Sequence, residues 1–291
     1  MIFIRSLSFI LILPAIIASA ANAQVKNLAN SRKNQILAQE NKVARVSATY
    51  TISFTGIELG KYHFSSILSG QHYALSGKTK LQLFGNWMKW TADVKSSGFR
   101  DGRSLKPHKF GYVFKGRKNR TMSVVFPQTS EQKISITPKI KKSSKRVTLK
   151  PEHFENVFDP MTGLVSLTRY NARNAEPGFC NRRVPIFDGK QRYDIKLTYK
   201  SKKIIDVGQR GKRTAVVCTV QYIPIAGHKT HKKMHKFYKD RKLDVFFVPF
   251  SNAQMYVPVR IEVPTPLGNA EINATKFIFE DTGKKKIAFI K

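Results

Sequence analysis

From Met255 to Val263 apolar residues recur at every second position: Met255, Val257, Val259, Ile261 and Val263. A period of two puts successive side chains on opposite faces of an extended chain, so the run fits a half-buried strand and no helix. The pattern is not local. Met88, Trp90, Ala92 and Val94 alternate with Lys89, Thr91, Asp93 and Lys95. Tyr193, Ile195, Leu197 and Tyr199 alternate with Asp194, Lys196, Thr198 and Lys200, and Phe110, Tyr112 and Phe114 repeat the pattern more loosely. Turn signals separate these runs at Ser69-Gly70, Ser76-Gly77, Phe84-Gly85-Asn86, Asp101-Gly102, Asp188-Gly189 and Pro266-Leu267-Gly268-Asn269. Short strands joined by tight turns predict a meander of about eleven to thirteen antiparallel strands.

One helix interrupts the strands. Asp159 is a capping residue followed by Pro160 at the first helical position, and Met161, Leu164, Val165 and Thr168 then fall at helical spacing up to about Tyr170. A long sheet needs its dry side covered, and one short helix cannot cover a dozen strands. The fold class expected is therefore mainly β. It is a single curved antiparallel sheet, or an incomplete, spiral β-barrel, with the one short helix packed on its concave face.

The N-terminus decides the compartment. Met1 to Ala23 carries one positive charge (Arg5), an apolar run from Leu7 to Ile17, and the small residues Ala21-Asn22-Ala23 in the form that signal peptidase recognises. The run is short for a membrane span and Pro14 interrupts it; the alternative is an N-terminal anchor. The expected organisation is a signal peptide over 1–23, a flexible polar tether over 24–44, one β domain over 45–280 and a basic C-terminal tail over 281–291. No later segment holds roughly 18 uninterrupted apolar residues, so no span is expected in the mature chain.

Export changes the meaning of the cysteines. Only Cys180 and Cys218 are present, and an even count in an oxidising compartment points to a disulfide. Closing a loop of about 39 residues is worth roughly 4 kcal/mol in the chain-entropy model. The competing assignment for Cys180 is a catalytic thiol with a distant His. Asp188-Gly189 lies between the apolar run Val184–Phe187 and the alternating strand that follows, which predicts a type I′ hairpin. The segment CNRRVPIFDGKQRYDI then reads as architecture.

Charge bounds the partners. The chain carries 52 Lys and Arg against 18 Asp and Glu, a formal charge of +34. Such a surplus usually signals nucleic acid, but an exported protein meets other polyanions: anionic lipid, lipopolysaccharide phosphates and cell-wall polymer. Composition, 41% hydrophobic and 11% aromatic, is that of a folded domain. Between Gly102 and Pro151 fourteen Lys or Arg face a single acid, Glu131. Lys139, Lys141, Lys142, Lys145 and Arg146 in TPKIKKSSKRVTLKP are the expected anion-binding residues. An envelope protein is a further expected partner.

Five segments together resemble a known family: YTISFTGIELGKYHF (Tyr50–Phe64), FDPMTGLVSL (Phe158–Leu167), CNRRVPIFDGKQRYDI (Cys180–Ile195), CTVQYIPIAGH (Cys218–His228) and VPVRIEVPTPLGNAEI (Val257–Ile272). They are similar to an exported family of Gram-negative envelopes that carries a domain of unknown function, and the resemblance covers roughly residues 45 to 280. It implies a secreted, mostly β protein, similar in shape to the half-barrels of periplasmic lipoprotein carriers and to spiral β envelope-integrity proteins. It implies no reaction.

Catalytic signals are missing. There is no G-x-S-x-G, no H-E-x-x-H and no phosphate-binding glycine loop. Asp159, Asp188 and Asp194 read as cap, turn and wet-face residues. His228, His231 and His235 have the spacing of one helix face, but Lys229, Lys232, Lys233 and Lys236 oppose a divalent cation there. No catalytic residue, metal or cofactor is expected. The expected function is that of a non-catalytic, soluble periplasmic protein that contributes to envelope integrity by binding an anionic envelope component or a partner. The alternative is a carrier or sensor of an acyl chain held in a half-barrel cavity lined by Trp87, Trp90, Phe110, Tyr112 and Phe114, with Phe84 beside them.

Overall fold

The computed structural model describes residues 43–290 except 84–87, 103, 130, 141–142, 170–174, 231–241, 252–253, 266 and 283; of 83, 88, 210 and 284–290 it describes the backbone alone. The signal peptide expected over 1–23 and the tether expected over 24–44 lie outside the described residues, except that Val43 and Ala44 are the first residues of β1 and not tether.

The first meander contains β1 (Val43–Phe54), β2 (Ile57–Ser69), β3 (His72–Leu83), β4 (Met88–Asp101), β5 (Ser104–Lys115), β6 (Arg120–Val125) and β7 (Ser135–Thr137). The second contains β8 (Arg182–Phe187), β9 (Arg192–Asp206), β10 (Lys212–Ala226), β11 (Lys242–Phe250), β12 (Met255–Thr265), β13 (Gly268–Asp281) and β14 (Lys284–Ile290). The two join where β1 pairs with β13, giving the order β7-β6-β5-β4-β3-β2-β1-β13-β12-β11-β10-β9-β8 in one antiparallel sheet. The first half of β13 pairs with β12 and the second half with β14. Lys284–Ile290 is thus a strand of the sheet and not the basic tail expected from residue 281. Its alternation is short, and the backbone groups it satisfies on β13 have no signature in sequence.

The sheet curls without closing. Its ends are β7 and β8, and β6 stands eleven strand spacings from β8, about 50 Å if the sheet were flat. Yet a Cβ on Gly189, in the β8–β9 turn, would lie 2.8 Å from Met122 Cγ and 3.0 Å from Val124 Cγ2 on β6. Only curvature brings these together. The turn is also not the two-residue type I′ expected. Phe187 pairs with Arg192, leaving four residues between them, and the Asp188 carboxylate accepts the backbone N–H groups of Lys190 and Gln191.

The 44 residues from Pro138 to Asn181 connect the sheet's two ends and carry α1 (Pro160–Thr168). Asp159 is its N-cap, as the sequence indicates. Its buried side is Met161, Thr162, Gly163, Leu167 and Thr168, while Leu164 is 41% exposed. The apolar spacing is overridden because Thr162 finds hydrogen-bond partners in the interior. The helix packs on the sheet face that carries Tyr73, Leu75, Phe110, Met122 and Val124.

Strands β10 to β12 are covered on both faces. Ala215, Val217, Phe246 and Val257 join one cluster with Tyr50 and Phe277, whereas Val216, Cys218, Val245, Phe247 and Tyr256 join another with Phe179 and Val184. The continuous apolar runs Ala215–Cys218 and Val245–Val248 are what two-sided burial requires.

Candidate functional site

Strands β2 to β6 present one face to the helix and the other to solvent. The solvent face holds a trough of about 960 Å³. Strand registers arrange its side chains in rows. Ile67, Ala74, Ser97 and Lys109 form one; Ser65, Ser76, Lys95 and Gly111 the next; His63, Lys78, Asp93 and Val113 the third; Lys61, Lys80, Thr91 and Lys115 the fourth. Lys78, Lys95, Lys109 and Lys115 line the trough and are all exposed. None of the four pairs with a carboxylate among the described residues. The one acid in the lining, Asp93, is half-buried, and its Oδ1 has no hydrogen-bond partner among the described residues. Walls of one sign around a concavity focus potential toward anions. The floor is made of small residues, Ser65, Ala74, Ser76, Ser97 and Gly111.

The floor is braced from behind. Ser96, between Lys95 and Ser97, points to the opposite face and donates to Asp159 Oδ2 at 2.8 Å. Thr162 Oγ1 also donates to Oδ2, at 2.5 Å, and lies 2.8 Å from the Tyr73 hydroxyl. Asp159 Oδ1 accepts from the backbone N–H groups of Met161 and Thr162. The carboxylate is fully buried, and burial pushes its pKa up against the pull of these four donors. Burial also raises Asp188, which lies within electrostatic reach of Tyr112 and Tyr193. The knot anchors α1 to β3 and β4 directly beneath the lysines.

Three of the segments singled out in sequence converge beside this knot. Phe187 packs with Met122, Val124 and Phe154, and Asp188-Gly189 abuts β6. Gly227 has φ +76° and a Cβ there would lie 2.0 Å from the Lys190 carbonyl oxygen, so only glycine fits. The chain just past the end of β10 is tied to residues 145–147: Val147 N–H donates to the His228 carbonyl, Gly227 N–H to the Val147 carbonyl, and Thr230 N–H to the Lys145 carbonyl. Cys180 and Cys218 are both buried, their Cα atoms 5.4 Å apart and their sulfurs paired, which joins the turn before β8 to the middle of β10. Asp194, expected on a wet face, is instead 4% exposed and is held by Arg183 and Arg192. Paired guanidiniums make that burial tolerable.

The expected site residues do not gather in one place. Lys139 and Lys145 are exposed, Lys141 and Lys142 lie outside the described residues, and the Arg146 guanidinium donates to the Gly227 carbonyl. Arg146 is thereby committed to the fold. Trp87 and Phe84 are outside the described residues. Phe110 is closed into the helix-side cluster at 2% exposure, and Trp90 packs over Gly116 beside Phe114. Of the expected cavity residues only Tyr112 borders the trough. His231 and His235 are outside the described residues, and no three His, Cys, Asp or Glu side chains converge among the described ones. No helix of the described residues is long and apolar enough to cross a membrane. The trough lysines escaped sequence reading because each looks like an ordinary wet-face residue. Only the register brings them together.

No curated protein matches the chain. A family model described as a protein of unknown function, DUF3108, matches residues 49–275, which run from β1 into β13 and include the trough, the helix and both cysteines. The chain belongs to the DUF3108 family.

Proposed function

We propose that the protein is a non-catalytic component of the cell envelope, exported by its N-terminal segment, that contributes to envelope integrity by binding an anionic envelope component in the β2–β6 trough. The observation that carries this reading is the set of four exposed lysines, none paired with a carboxylate among the described residues, around a 960 Å³ trough whose lining contains one acid. The cysteine pair fits an oxidising compartment, and the unclosed curved sheet is in keeping with the half-barrel and spiral shapes that the family resemblance implies. Of the side chains the acyl-carrier alternative draws on, Phe110 is tightly packed on the opposite face, which favours the trough. Titration with a fluorescent polyanion tests it. Binding should weaken steeply with salt, since exposed contacts are screened over a Debye length of about 8 Å at physiological ionic strength. Equal binding of a neutral polymer of the same length would overturn the reading.

A further inference from the structure

The trough lysines are ordered. Lys109 stands opposite Ser97, two residues from Lys95 on the same face; Lys95 stands opposite Ser76, two residues from Lys78. Each lysine is therefore displaced from the next by one strand and one side-chain repeat, always in the same direction. Such diagonal neighbours lie about 7–8 Å apart, so the three mark an oblique line about 15 Å long. Lys61, two residues from the His63 that faces Lys78, continues the line on β2.

The surface between them is not neutral ground. Ser65, Ser76, Thr91 and Ser97 offer hydroxyls along the line, and the half-buried carboxylate of Asp93 stands opposite Lys78 as the one negative charge in the lining. A single compact anion calls for converging cations and not for a row. A chain of phosphates alone brings no donor to Asp93 and is repelled by its charge. A polymer carrying both acid groups and hydroxyls answers every feature.

Resting on the anion-binding reading above, we propose that the trough takes an extended anionic glycan laid obliquely from β5 to β3. Its acid groups meet Lys109, Lys95 and Lys78, and its hydroxyls meet the serine floor and Asp93.

The test uses the full chain with oligogalacturonates of increasing length, with polyphosphate of matched charge as the second arm. Affinity for the glycan should rise about tenfold from the dimer to the hexamer, each added charge contact multiplying it by a few-fold. Lys95→Gln should weaken both ligands. Asp93→Ala should weaken the glycan and strengthen polyphosphate. Asp93→Asn, which removes the charge and keeps an acceptor, should hold glycan affinity above that of Asp93→Ala. A flat length series, or Asp93→Ala moving both ligands the same way, overturns the glycan proposal and leaves the anion-binding reading standing. Failure of both ligands to bind overturns that reading as well.

Discussion

Asp159 accepts four hydrogen bonds in a place water does not reach, so it is at once a helix cap and the tie between α1 and the sheet. Asp159→Ala removes the cap and strands the hydroxyls of Ser96 and Thr162, which should lower stability by about 2–4 kcal/mol in a denaturant titration. A loss below that range would show that the knot relaxes without cost. The pH dependence has a definite sign. Burial raises the Asp159 carboxyl, so the folded protein holds that proton more tightly than the unfolded chain does. Stability from this group is greatest below the unfolded pKa of about 4 and falls as pH rises toward the folded value. Asp159→Asn cannot ionise and should reduce that slope, with Asp188, raised for the same reason, supplying the remainder. Superimposable pH profiles for wild type and Asp159→Asn would contradict it. At this scale the sequence was partly legible. Asp-Pro announces a cap, but nothing in FDPMTG says that Thr162 will point inward and Leu164 outward. That choice is made by Ser96 and Tyr73, over sixty residues away in the chain.

Between elements, the closest approaches lie where turns meet turns or strands. The Cys180–Cys218 pair joins the turn before β8 to β10, next to the stacked rings of Phe179 and Tyr256. Intact mass after alkylation should show no free thiol until reductant is added, and Cys218→Ser should lose about 2–5 kcal/mol. Two alkylated thiols in the unreduced protein would exclude the bond. Gly227→Ala places a methyl against the Lys190 carbonyl and demands a positive φ of a residue with a side chain. It should cost about 3 kcal/mol or more, measured by thermal unfolding; a wild-type melting temperature would mean that the two turns part easily. Strand existence was readable from alternation, because a period of two has one geometric meaning. Pairing was not. Nothing in Val43–Phe54 reveals that its partner is Gly268–Asp281, and the pairing that makes two meanders into one sheet joins nearly the first described residue to nearly the last. Asp194 shows the limit of alternation in the other direction. Its position is on the polar side of the pattern, yet arginines on β8 and on its own strand satisfy it in the interior.

Across the described residues positive charge is spread widely, and what distinguishes the trough is that its lysines gather around one hollow with no carboxylate partner among those residues. Selection for stability alone does not explain that arrangement. Replacing Lys78, Lys95 and Lys109 together by Gln should leave the fold within about 0.5 kcal/mol of wild type per site or make it slightly more stable, because exposed like charges repel. A large loss of stability would make these lysines structural. The total charge is legible in composition, and the TPKIKKSSKRVTLKP segment is conspicuous because its lysines are close together in the chain. Lys78, Lys95 and Lys109 are consecutive only in space, one from each of three neighbouring strands, and such sets are invisible until the register is known. Side-by-side titrations of a fluorescent acidic polymer into wild type, Lys78→Gln/Lys95→Gln/Lys109→Gln and Lys139→Gln/Lys145→Gln decide which basic surface binds. The trough variant should lose about tenfold or more in affinity, at about 0.5–1 kcal/mol per exposed contact, while the loop variant stays within about threefold of wild type. The opposite ranking, with the loop variant impaired and the trough variant intact, would contradict the assignment of the trough as the binding site.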